Sequence, residues 1–106
     1  MTKGTRMTQD KIRTEEVEQL LAELARLDNP DHIYELLMDL CTVREIGEMG
    51  ARLKVAHLLA AKVPYTEIQK ETGVSSTTIS RVSKCLNYGA GGYARAVEFA
   101  AHKGEK

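Results

Sequence analysis

The stretch Ser76-Thr77-Thr78-Ile79-Ser80-Arg81-Val82-Ser83-Lys84 concentrates hydroxyl and basic side chains at helical spacing. Read as a helix, it points Ile79 and Val82 inward, three residues apart, and leaves Ser76, Thr77, Ser80, Arg81 and Lys84 on other faces. Short hydroxyls hydrogen-bond to base edges or phosphates, and a threonine methyl can meet a thymine methyl. The free N–H groups and dipole at the start of such a helix attract phosphate. Lys54, Lys62, Lys70, Arg81 and Lys84 are the candidates for phosphate contacts. That is a small number of charges, which implies modest affinity per subunit and reliance on a dimer.

Other chemistries find no support. His32, His57 and His102 are scattered, with no HExxH pair for zinc. Cys41 and Cys85 form no CxxC and each lies in an apolar-periodic stretch, so both read as reduced, small hydrophobes. Gly89, Gly91 and Gly92 follow no strand pattern and make no phosphate loop. No enzyme activity and no metal site is expected.

The elements that must position the hydroxyls are helices throughout. Residues 1–12 read as a flexible polar arm. Thr14 caps a first helix with the apolar face Val17, Leu20, Leu21, Leu24 and Leu27. Asn29-Pro30 ends it and opens a second, with Ile33, Leu36, Leu37 and Leu40 on one face and Tyr34 and Met38 widening it. Such a broad face suits burial on two sides, as in an intertwined dimer. Thr42 to Glu45 has capping-box spacing and opens a longer helix to about Ala61. Its expected buried face is Ile46, Met49, Leu53, Ala56 and Leu59 or Ala60. Gly47 and Gly50 inside it each cost ~1 kcal/mol against alanine, which close approach of another helix would offset.

Past the break at Lys62-Val63-Pro64, residues 65–87 match a helix-turn-helix. Ile68 faces the core, Gly73 supplies the turn, Val74 plugs it, and Ser75 caps the second helix. Gln69 and Thr72 depart from the usual pattern, which favours a small and an apolar residue there. Residues 88–92 read as a glycine-rich loop, followed by a last helix from about Tyr93 to Ala101, with Lys103 to Lys106 frayed.

With 106 residues the chain is one domain's worth, and marginal as a lone monomer. Formal net charge is zero, yet residues 1–50 carry 6 Lys/Arg against 11 Asp/Glu, a net of −5. Residues 51–106 carry 9 against 4, a net of +5, an asymmetry that fits either a basic working surface on the second half or two halves that neutralise one another within the fold. No apolar run reaches the ~18 residues of a membrane span, and the first residues lack a signal-peptide core, so a cytoplasmic protein is expected.

From Leu40 onward the sequence resembles the Trp repressor family. The matching blocks are Leu40-Cys41-Thr42-Val43-Arg44-Glu45, Met49-Gly50-Ala51-Arg52-Leu53-Lys54-Val55, Thr66-Glu67-Ile68 and Ser76-Thr77-Thr78-Ile79-Ser80-Arg81. The resemblance implies an all-α, six-helix Trp repressor-like fold and an intertwined homodimer that reads double-stranded DNA. The family's DNA-contacting positions fall on Thr66, Gln69, Ser76, Thr77, Thr78 and Ser80. The resemblance also implies an effector pocket at Thr42, Arg52 and Arg81, where tryptophan-binding members hold L-tryptophan between the two arginines. The chain departs from those members at Val82, where they carry glycine, and at Cys85, where they carry serine. A branched side chain at position 82 occupies space meant for the indole.

The expected function is a sequence-specific transcriptional regulator acting as a dimer on a near-palindromic operator. A helical protein-interaction domain without DNA binding is the alternative. Salt separates the two, because counterion release makes DNA binding steeply salt-dependent and an apolar interface barely responds.

Overall fold

The computed structural model describes residues 11–104, and the side chains of residues 11–101. The arm expected over residues 1–12 therefore lies outside the described residues, except for Lys11 and Ile12, which form a turn. Six helices account for all regular structure among the described residues: α1 Glu15–Arg26, α2 Pro30–Leu40, α3 Val43–Ala60, α4 Tyr65–Thr72, α5 Ser76–Tyr88 and α6 Gly92–Gly104. The chain forms two compact units, Met1–Thr42 and Val43–Lys106. No helix among the described residues is long and apolar enough to cross a membrane.

The first unit carries α1 and α2, and both start as their sequences dictate. Thr14 Oγ1 accepts from the Val17 amide at 3.3 Å, and Glu15, Glu16 and Glu18 line the first turn at the positive end of the dipole. Asn29 Oδ1 accepts from the Asp31 amide at 2.8 Å, with Pro30 opening α2. Val17, Leu24, Leu27, Ile33, Leu36 and Leu37 are half-buried. Leu20, Leu21, Tyr34, Met38 and Leu40 are exposed, and neither helix contains a buried residue.

The second unit holds the core. Val55 and Ala56 of α3, Ile68 of α4, and Ile79 and Val82 of α5 are buried together. Leu58, Leu59, Val63, Val74, Tyr93 and Val97 pack around them. The buried face of α3 differs from the expected one. Ala56 is buried and Ile46 and Leu59 are half-buried, but Met49, Leu53 and Ala60 are exposed, and Val55 is fully enclosed. Position 55 is reached by turning roughly 100–180° away from the 46–49–53 stripe. The face that α4 and α5 cover is thus rotated from the most apolar stripe, which is left at the surface. An added Cβ at Gly47 or Gly50 meets nothing within 4 Å among the described residues.

The end of α3 is a Schellman turn. Lys62 takes a left-handed φ of 67°, its amide donates to Leu59 O at 2.9 Å, and the Val63 amide donates to Leu58 O at 3.0 Å. Leu58 and Val63 make the accompanying apolar contact with the core. The last two helices run further than expected. The Gly89 amide donates to Cys85 O at 2.8 Å, which completes the α5 ladder through Tyr88. A Cβ at Gly89 would lie 2.5 Å from that same carbonyl oxygen, so this ending requires glycine. α6 continues through Gly104, past the fraying expected from Lys103, and only Glu105 and Lys106 of that tail lie outside the described residues.

Candidate nucleic-acid interface

The turn between α4 and α5 is built from its own residues. Gly73 closes α4 at φ 78°, and its amide donates to Gln69 O at 2.8 Å. Thr72, where an apolar residue is usual, is half-buried and uses its hydroxyl twice. Thr72 Oγ1 donates to Ile68 O at 2.7 Å and accepts from the Val74 amide at 3.3 Å. A hydroxyl facing the interior is tolerated because both its donor and its lone pair are satisfied by backbone. Ser75 then opens α5, its Oγ accepting from the Thr78 amide at 3.1 Å.

This geometry sets opposite faces on the two helices. Ile68 on α4 and Ile79 and Val82 on α5 are buried, the two isoleucines at 0% exposure. Ser76, Thr77, Ser80, Arg81 and Lys84 are all exposed and occupy an arc of ~140° on the far side of α5. Lys84 lies within that arc, so its charge is carried with the hydroxyls. On α4, Thr66, Gln69 and Lys70 share an exposed face turned away from Ile68. Each helix therefore presents a polar face while its apolar face is locked into the core.

Thr78 stands apart from the other hydroxyls. It is half-buried, and its Oγ1 accepts a hydrogen bond from Ser75 Oγ at 3.1 Å. Its side chain serves the cap before it serves any ligand. Lys54 is also committed, with Nζ 3.9 Å from Glu71 Oε2. That pair joins α3 to α4 across 17 residues of sequence, and no local pattern announces it. Lys62, Lys70, Arg81 and Lys84 remain exposed, and none of them is ion-paired among the described residues.

The effector-pocket residues are divided between the units. Thr42 closes the first, while Arg52, half-buried on α3, and Arg81, exposed on α5, belong to the second. Among the described residues no carboxylate pairs with either arginine. A cavity of about 400 Å³ in the second unit is lined by Leu59, Lys62, Ser83, Leu86, Val97 and Glu98, among others. Neither arginine reaches it.

The family model described as the Trp repressor protein matches residues 15–100. The chain belongs to the Trp repressor family. The family match spans α1 through most of α6 and so includes the helix-turn-helix. The uncharacterized protein YerC of Bacillus subtilis is 42% identical over 89 residues, covering 84% of this chain and 86% of that protein. A solved TrpR-like protein from Eubacterium eligens is 40% identical, with a TM-score of 0.81 over 85% of this chain and 93% of its own. A solved Staphylococcus aureus protein, provisionally assigned as a Trp repressor, is 33% identical with a TM-score of 0.80 over 85% and 90%. The Trp repressor family is a fold for regulatory DNA binding and not an enzyme family. The all-α architecture with six helices and a helix-turn-helix is the one expected from sequence.

Proposed function

We propose that this chain is a sequence-specific transcriptional regulator, a repressor that acts as an intertwined homodimer on a near-palindromic operator. The observation that carries the reading is the opposition of faces in the helix-turn-helix. Ile68, Ile79 and Val82 are sealed in the core while Ser76, Thr77, Ser80 and Lys84 lie exposed on one arc of α5. A helix held this way enters a major groove with its N-terminal hydroxyls toward the base edges and its cations toward phosphate. Thr66 and Gln69 on α4 are placed to touch the backbone or an adjacent base, and a glutamine amide can pair with adenine.

The dimer is supported by the apolar surface left on the helices of the first unit. Leu20, Leu21, Tyr34, Met38 and Leu40 are exposed, and helices of 11 and 12 residues are marginal in water without packing. The open space over Gly47 and Gly50 and the exposed Met49 and Leu53 offer a further surface of the same kind on α3. Two heads in one dimer would address half-sites one DNA turn apart, ~34–36 Å. Such an assembly is expected to work inside the cell, in the cytoplasm.

Selection of genomic DNA fragments by the purified protein tests this, followed by anisotropy titration of the best fragment at several salt concentrations. A palindromic site whose affinity falls steeply with salt supports the reading. No enriched fragment, with a dimer still present by sedimentation, would replace it with a helical protein-interaction domain.

A further inference from the structure

The position after Arg81, where an indole would need space, is filled by part of the core that positions α5. Val82 follows Arg81 directly and is only 2% exposed. It packs with Val55 and Ala56 of α3, which lie one turn beyond Arg52, and with Ile68 and Ile79. The seam between α3 and α5 is therefore filled by the protein's own side chains where Val82 meets Val55 and Ala56. An indole inserted there would have to displace a β-branched side chain, stiff at χ1, from a close-packed interior. The next residue on that side of α5 is Cys85, one turn on and exposed. A thiol is a weak acceptor and a poor partner for an amino acid's ammonium group. The residues present do not fit L-tryptophan.

The same packing supplies what a ligand would otherwise supply. The five buried residues come from α3, α4 and α5, so the reading helix is anchored to the long helix through a continuous core. A ligand shifts a conformational equilibrium only through differential affinity for its states. Where the core already fixes one state and closes the slot, an aromatic amino acid has nothing to select.

We infer that the reading head is held in its working position by Val82 and the core around it, and that this chain binds DNA without an aromatic amino-acid effector. The inference rests on the DNA-binding reading above. It places the chain apart from the tryptophan-binding members of its family, as a regulator whose DNA affinity does not follow tryptophan supply.

Three measurements on the purified protein test it. The chain contains no tryptophan, so the emission of added L-tryptophan, excited where tyrosine does not absorb, is the sole indole signal. Its anisotropy is expected to stay at the free value as protein is added, and a saturable rise would overturn the inference. Amide exchange of ligand-free protein should show α5 protected alongside residues 55–59 of α3, and fast exchange confined to α4 and α5 would overturn it. In the same experiment Val82→Ala, which keeps a helix-forming residue, should accelerate α5 exchange roughly tenfold or more, and an unchanged rate would remove Val82 as the anchor.

Titrations of the selected DNA fragment with and without L-tryptophan should superimpose. A gain of about fivefold or more with the amino acid, the lower end of ordinary allosteric coupling, would overturn the inference. No binding in either arm would overturn the functional reading beneath it, and is told apart from corepression, where only the arm with L-tryptophan binds.

Discussion

Ser75 and Thr78 are joined twice: Ser75 Oγ accepts from the Thr78 amide and donates to Thr78 Oγ1, each at 3.1 Å. The first bond caps α5 and the second fixes both rotamers. Together they set where α5 begins, and hence how far its hydroxyls project. Ser75→Ala removes both and should lower stability by about 1 kcal/mol, as for other N-cap losses. Because the whole helix start loosens, affinity should fall for every DNA sequence alike. Thermal melts and titrations against operator and scrambled DNA check this. Loss of operator preference at unchanged melting temperature would instead make Ser75 a base contact.

Thr77 and Ser80 predict the opposite pattern. Both are exposed and neither makes a side-chain hydrogen bond among the described residues. Thr77→Ala with Ser80→Ala should leave the melting temperature and dimerisation within the range usual for surface changes, about ±0.5 kcal/mol for each residue. Operator preference over scrambled DNA should collapse, since each well-made base contact is worth about 1–3 kcal/mol of discrimination. Competition titrations read that ratio directly. Retained preference would take both residues off the reading face.

Lys62 ends α3 in a left-handed conformation that costs a side-chain-bearing residue roughly 1–2 kcal/mol. Glycine adopts it without that cost but gains freedom in the unfolded chain. Lys62→Gly is therefore expected to stabilise the protein by about 0.5–1 kcal/mol, visible as a rise in denaturant midpoint at constant slope. The exposed lysine contributes to no ion pair among the described residues, so the substitution loses no pairing. A fall in the midpoint would show that its stem covers Leu59 or its neighbours well enough to outweigh the strain.

Much of this was readable in the sequence because it is local. Thr14, Asn29, Gly73 and Ser75 each act on residues within four positions of themselves, and each does what its type and place suggest. The inward positions Ile68, Ile79 and Val82 follow from helical period alone. Three features did not follow. The buried side of α3 is chosen by where α4 and α5 dock, so Val55 is enclosed while the more regular stripe through Met49 and Leu53 is exposed. The Lys54–Glu71 pair depends on the same docking and takes a predicted phosphate contact into an ion pair. Thr78 looks like its neighbours in sequence, and only the Ser75 rotamer shows that its hydroxyl is engaged.

Lys54 and Lys84 consequently differ in what salt will reveal. Lys84 is exposed beside the hydroxyl arc and has no acidic partner among the described residues, so a phosphate it meets would release a condensed counterion. Lys84→Gln should weaken binding to all sequences similarly and reduce the slope of log affinity against log salt by about 1 for each head that loses its contact. Lys54 lies 3.9 Å from Glu71 with both side chains half-open to water, a pair of the kind usually worth little in stability. Lys54→Gln should reduce the salt slope less than Lys84→Gln does, because a phosphate would have to compete with Glu71 for that charge. Glu71→Gln should then release Lys54 and steepen the slope. Titrations of the three variants over one salt series decide it, and equal slopes for Lys84→Gln and the unmodified protein would move the phosphate path away from α5.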